Sequence, residues 1–108
     1  MTTTLDKISA VLEQRKQGDP ESSYVSSLFH RGTDAILKKM GEEAAEVIIA
    51  AKNPDKQAVI HEMADLWFHS LILLSSLDLK PADILAELDR RSGVSGLKEK
   101  QNRQKKQV

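Results

Sequence analysis

The 108-residue sequence has no cysteine, three prolines, five glycines and four aromatic side chains. Without cysteine there is no disulfide, no thiolate zinc site and no cysteine nucleophile, which fits a reducing compartment. Nor is there a run able to cross a bilayer: the longest apolar stretch, Leu66 to Leu77, is interrupted by His69, Ser70, Ser75 and Ser76. The amino terminus lacks a basic region followed by an apolar run, so no signal peptide is expected and the protein is placed in the cytoplasm. Glycine-rich phosphate loops, internal repeats and low-complexity runs are also missing, which excludes solenoids and P-loop folds.

What remains is the composition of an ordinary globular domain, and its length suits a single one spanning 1–108. The zero net charge conceals an uneven distribution. Residues 1–89 carry nine basic against fifteen acidic side chains, and residues 90–108 carry seven against one. A basic terminal segment beside an acidic body suits either an anionic ligand or docking onto that body, with Gln104 to Val108 expected to fray.

Periodicity and punctuation predict an all-α chain of five or six helices. Leu5, Ile8, Val11 and Leu12 place a first helix over Thr3 to Lys16, capped by threonine and closed at Gly18-Asp19-Pro20. Ser22 or Ser23 caps a short helix that Gly32 ends, and Tyr24 in it either packs or touches a nucleotide. A third helix runs from about Asp34 to Lys52, capped by Thr33 or Asp34. A fourth runs from about Pro54 to Ser76, with Asn53 as cap and Pro54 at the first position. Pro81 opens a fifth, through Ile84, Leu85 and Leu88 to Arg90-Arg91, and Leu97 to Arg103 is expected to add one or two turns.

The acids of the third and fourth helices carry the chemistry. At about 100° per residue, Glu43 and Glu46 share one face, and so do Glu62, Asp65 and His69. The fourth helix is apolar nearly all round, with Met63, Trp67, Phe68, Leu71 and Leu74 joining Ala58, Leu66, Ile72 and Leu73, the pattern of a buried element. Unpaired buried carboxylates would cost several kcal/mol, roughly, or protonate, so four converging acids need a cation. Oxygen ligands without thiolates suit Mg²⁺, with Mn²⁺ the alternative. The competing reading is a solvated acidic face with Lys38–Glu42 and Lys39–Glu43 pairs, which either acidic cluster alone would favour; two clusters on consecutive helices favour the metal. Gly41 costs roughly 1 kcal/mol against alanine inside a helix, so either a ligand approaches the backbone there or two helices cross closely.

Several familiar motifs fail. His61-Glu62 opens like a zinc-protease motif, but Asp65 stands where the second histidine is due. Neither acidic helix has glutamate three residues before histidine, as di-iron bundles require, and no glycine-framed elbow presents a serine. What the chain does have is Glu-Glu-x-x-Glu at Glu42, Glu43 and Glu46, then Glu-x-x-Asp at Glu62 and Asp65. With Ser23-Tyr24, Lys38-Lys39-Met40-Gly41, Ala64-Asp65-Leu66, His69, Glu87-Leu88-Asp89-Arg90-Arg91, Ser95-Gly96-Leu97, Glu99-Lys100 and Arg103, it resembles the phosphoribosyl-ATP pyrophosphohydrolases of histidine biosynthesis, within the MazG-like all-α nucleoside triphosphate pyrophosphohydrolase superfamily. Trp67-Phe68 stands where that family often has another pair, read here as core variation.

The resemblance implies a MazG-like helical bundle completed by homodimerisation, in the stand-alone form without a fused cyclohydrolase domain. It also implies hydrolysis of 1-(5-phospho-β-D-ribosyl)-ATP to the AMP derivative and pyrophosphate, a small-molecule nucleotide substrate, and neither nucleic acid nor membrane as partner. Glu43, Glu46, Glu62 and Asp65 would hold the Mg²⁺, with Glu42 outside the ligand set or orienting a water. Lys38 and Lys39 are candidates for phosphate contact. His69 either orients a ligand or contacts substrate, or is a satisfied core histidine. Arg91, Lys100 and Arg103 either clamp the ribose phosphate or pin the tail. A house-cleaning nucleotide pyrophosphohydrolase and a non-enzymatic dimerisation module are the competing classes.

Overall fold

A computed structural model describes residues 3–53, 55–92 and 103, and among them the chain forms five helices and no strand. These are α1 (Thr4–Arg15), α2 (Tyr24–Arg31), α3 (Thr33–Ala51), α4 (Lys56–Ser76) and α5 (Pro81–Arg91). The all-α expectation holds, and the expected turns beyond Arg91 fall outside the described residues except for Arg103, which is helical and exposed.

Local chemistry explains most boundaries. Thr3 caps α1 reciprocally with Asp6: the Asp6 N–H donates to Thr3 Oγ1 at 3.1 Å and the Thr3 N–H to Asp6 Oδ2 at 3.2 Å. Ser23 caps α2 by accepting from the Ser26 N–H at 3.2 Å. Two expected caps are corrected. Gly32, at φ +97°, both ends α2 and precedes α3, so Thr33 and Asp34 lie inside the first turn of α3 and no side chain caps it. For α4 the cap is Asp55 rather than Asn53, because its carboxylate accepts from Gln57 N–H at 3.0 Å and Ala58 N–H at 3.2 Å while meeting the positive end of the helix dipole. Pro54 lies outside the described residues.

Leu12, Leu28, Ile36 and Ile72 form the fully buried centre, so α1 to α4 each contribute one large side chain. Leu5, Ile8, Val25, Phe29, Phe68 and Leu74 pack around them. The closest-packed pair is α3 with α4, and the short connection between them makes this an antiparallel hairpin. α1 and α2 cover one side of it. α5 leans on α1 and leaves an apolar groove of about 400 Å³ against α4, lined among others by Trp67, Leu74, Leu85 and Leu88.

That arrangement corrects the expectation that α4 is buried all round. Ile60, Met63 and Trp67 are 59%, 37% and 59% exposed, an i, i+3, i+7 stripe left largely open to water, with Trp67 also edging the α4–α5 groove. Trp67 is therefore no core residue in the single chain, whereas its neighbour Phe68 does pack on the core.

The turn after α1 is fixed by polar contacts. Ser26, 2% exposed, donates its hydroxyl to the Arg15 carbonyl at 2.8 Å. Beyond it, Ser75 Oγ donates to Glu13 Oε1 at 2.8 Å, and Lys16 Nζ reaches Glu13 at 2.9 Å and Asp78 at 3.3 Å. The bonds from Lys16 and Ser75 hold the Glu13 carboxyl below its ordinary range. A Cβ on Gly18 would collide with Ser26 Oγ and crowd the Arg15 carbonyl at 3.3 Å. Gly18→Ala is accordingly expected to cost about 1–3 kcal/mol of unfolding free energy in urea titration; an unchanged midpoint would mean that the Ser26 bond yields without penalty.

Candidate active site

The α3–α4 hairpin sets the heights of the acids. Counting outward from its turn, Glu46 stands five residues before the end of α3 at Ala51, and His61 five residues after the start of α4 at Lys56. Glu43 stands eight residues before that end, level with Ala64 and next to Asp65. At about 1.5 Å of rise per residue, both acidic turns lie roughly 8–12 Å above the connection. The two helices thus carry their carboxylates to the same level of one hairpin.

The acids are less buried than their apolar neighbours in the sequence suggest. Glu46 and Glu42 are exposed, Glu62 and Asp65 half-buried, and the Glu43 side chain is 13% exposed. Exposure of Ile60 and Met63 on the same helix opens this level to water in the single chain. Lys39, rather than Lys38, takes the local pairs: its ammonium lies 3.4 Å from Glu42 and 3.6 Å from Glu43. Lys38 is exposed, with no acidic partner among the described residues.

On α4 the structure adds a residue that sequence reasoning used only to reject a protease motif. His61, Glu62 and Asp65 each offer a ligand atom, and these lie within 4.8 Å of one another. His61 Nε2 is 3.5 Å from Asp65 Oδ2, an i,i+4 relation that was open to reading from spacing. Glu43 and Glu46 stand outside this cluster.

His69, one turn after Asp65, is buried at 6% exposure with both ring nitrogens engaged. Nδ1 lies 2.8 Å from the Asp65 carbonyl oxygen and Nε2 lies 2.8 Å from the Tyr24 hydroxyl. Tyr24 was not among the expected site residues, and the contact joins positions too far apart for any local spacing rule. Burial pushes its phenol above the ordinary tyrosine range, so it stays protonated. Arg91, by contrast, is occupied on α5. Its Nε donates to Glu87 Oε1 at 3.0 Å, and Arg90 binds the same carboxylate. These guanidinium bonds bring the Glu87 carboxyl down to about 2. Arg103 is exposed, and Lys100 lies outside the described residues.

A family profile described as phosphoribosyl-ATP pyrophosphohydrolase matches residues 5–92. This chain belongs to the phosphoribosyl-ATP pyrophosphohydrolase family. The match takes in both acidic turns, Tyr24 and His69, and nearly the whole length of α1 to α5. Curated relatives extend the similarity. A protein of Burkholderia vietnamiensis named phosphoribosyl-ATP pyrophosphatase is 55% identical over 108 residues, covering 96% of this chain and 89% of its own length. Proteins of the same name from Burkholderia mallei and Burkholderia pseudomallei are 56% identical, covering 96% of this chain and 88% of theirs.

The donor set fits a hard divalent ion. Two carboxylates beside the His61 imidazole, partly open to water, suit a cation that retains waters and takes oxygen ligands, and the chain has no cysteine thiolate to offer a softer ion. Glu62→Gln and Asp65→Asn are each expected to weaken Mn²⁺ binding by about tenfold or more, read by electron paramagnetic resonance of the free ion. Undiminished binding in both variants would place the ion elsewhere.

Proposed function

We propose that the protein hydrolyses 1-(5-phospho-β-D-ribosyl)-ATP to 1-(5-phospho-β-D-ribosyl)-AMP and pyrophosphate, the second step of histidine biosynthesis. The observation that carries this reading is a family match from residue 5 to residue 92 that includes two acidic turns at one level of a single hairpin. Glu43, Glu46, Glu62 and Asp65 are the proposed ligands of a divalent ion, Mg²⁺ or Mn²⁺, and His61 stands beside Asp65 as a further donor. When bound, such an ion neutralises phosphate oxygens and lowers the pKa of a water.

The chain's own side chains account for the rest. Glu42, exposed one position before Glu43 and loosely paired with Lys39, would orient a water outside the ligand set. Lys38 and Lys39 sit one turn before the acids, where their ammonium groups meet incoming phosphates as mobile point charges. His69 contributes through Tyr24 and the Asp65 turn, since both of its nitrogens are engaged. Arg91, Arg103 and Lys100 are the proposed clamp for the ribose phosphate, which for Arg91 requires partial release from Glu87. A Cβ at Gly41 would meet nothing within 4 Å, so among the described residues no crossing helix explains this glycine. Approach of substrate, or of a second chain, does.

The exposed stripe Ile60, Met63 and Trp67, with Ile48 and Ile49 on α3 at 64% and 57% exposure, supports a homodimer that completes the bundle and dries the acidic level. Among the described residues no helix is long and apolar enough to cross a membrane. A cytoplasmic location agrees with the cysteine-free sequence and the biosynthetic role.

Pyrophosphate release from phosphoribosyl-ATP by the purified chain tests the assignment, with a panel of nucleoside triphosphates as comparison. Glu46→Gln and Asp65→Asn are expected to reduce turnover at least about a hundredfold with the helical circular dichroism unchanged. Retained turnover in both variants would exclude the acids from the chemistry, and a preference for the panel would replace the substrate.

A further inference from the structure

A cleft of about 460 Å³, the size of a small-ligand pocket, opens between α1, α2 and α4. Lys7, Ile8, Val11, Leu12 and Arg15 line it from one face of α1, while Tyr24 and Phe68 contribute aromatic walls. The floor is hydrocarbon, and the α1 face begins and ends on a cation. Lys7 and Arg15 are exposed, and neither has an acidic partner among the described residues.

The place of this cleft along the molecule follows from the register of α1 on α4. Ser75 donates to Glu13 and Lys16 to Asp78, both across 62 positions, so the two helices run side by side in one direction. Leu5 and Trp67, at the same offset, line one groove. By this register Lys7 stands level with His69, one turn or roughly 6 Å past Asp65, and Arg15 stands roughly 12 Å further on. Both aromatic walls agree with it: the Tyr24 hydroxyl lies 2.8 Å from His69 Nε2, and the Phe68 and His69 rings meet edge to face with centroids 5.8 Å apart. Because His69 is buried and engaged at both nitrogens, it holds the Tyr24 ring as a fixed wall. The cleft therefore starts one helical turn beyond the acidic level and leads away from it.

Such a cleft suits a ligand with a flat apolar middle, an anionic far end and a phosphate chain that reaches back to the acids. We propose that it takes the purine nucleoside portion of the substrate, with Lys7 beside the phosphate chain and Arg15 meeting the phosphate at the far end, in addition to the clamp named above. This rests on the reading of the substrate as phosphoribosyl-ATP, and so its test begins with a fragment, without metal and without turnover. Adenosine 5′-monophosphate is titrated into the isotope-labelled full chain in the absence of divalent ions, with inorganic phosphate as the comparison, and then into Arg15→Gln and Val11→Trp variants.

The monophosphate is expected to shift the amide signals of Val11, Arg15 and Tyr24, and inorganic phosphate at the same concentration to shift them far less. Arg15→Gln and Val11→Trp, both at exposed positions, should weaken its binding about fivefold or more and raise KM for phosphoribosyl-ATP similarly, with Mn²⁺ affinity and helical circular dichroism unchanged. The monophosphate should also inhibit hydrolysis competitively. Absence of binding, equal shifts with inorganic phosphate, shifts confined to the acidic turns, full affinity in both variants, or non-competitive inhibition would each overturn the proposal. A chain that binds the monophosphate in the cleft but leaves phosphoribosyl-ATP intact would instead overturn the substrate assignment and keep the cleft as a purine-nucleotide site.

Discussion

The packing of α3 against α4 is the constraint on which the rest of the molecule depends. Ile36 on α3 and Ile72 on α4 are both essentially closed to solvent, and Leu12 and Leu28 seal them from the side of α1 and α2. Once the hairpin is closed by so short a connection, its register is fixed, and residues equally far from the turn must be neighbours in height. Glu43 and Glu46 are brought to the level of His61 to Asp65 by that register alone, with no loop involved. A site built from two helix faces is stiffer than one built from loops, which suits ligands that have to converge on one ion.

Electrostatics then shapes what the hairpin offers. Four carboxylates at one level repel each other, and the local relief is modest: Lys39 lies beyond good hydrogen-bond distance from Glu42 and Glu43, and His61 is 3.5 Å from Asp65. Partial exposure leaves these acids in contact with water in the single chain. The side of α4 away from α1 and α2 presents Ile60, Met63 and Trp67 to water, where a second chain would lower the local dielectric and strengthen every interaction at that level. The α4 acids and the apolar stripe are carried by the same helix.

Much of this was legible in the sequence, for reasons that vary by residue. The caps at Thr3 and Ser23 and the opening of α5 at Pro81 follow from side-chain chemistry within a few residues. The acidic turns follow from i, i+3 spacing, which the helix enforces. Asp55 rather than Asn53 is the cap because α4 begins at Lys56, which puts the Asp55 carboxylate within reach of the Gln57 and Ala58 N–H groups; both residues fit the same sequence pattern. The exposure of Trp67 was hidden because hydrophobic periodicity reports which faces avoid water, and a core and an interface satisfy it equally. The Tyr24–His69 bond was invisible for another reason: a contact between α2 and α4 depends on tertiary packing, which spacing along the chain does not encode.

All of these threads meet in the proposal that the two acidic turns of the hairpin contribute ligands to one divalent-metal site. Paramagnetic broadening by substoichiometric Mn²⁺ in the isotope-labelled protein reads this directly, because the effect falls steeply with distance from the ion. The account predicts that amide signals of Glu43 to Glu46 and of His61 to Asp65 fade together at the lowest Mn²⁺ levels, before those of Asp19, Asp34 or Asp83. Broadening restricted to one helix, or spread evenly over every exposed acid, would contradict it.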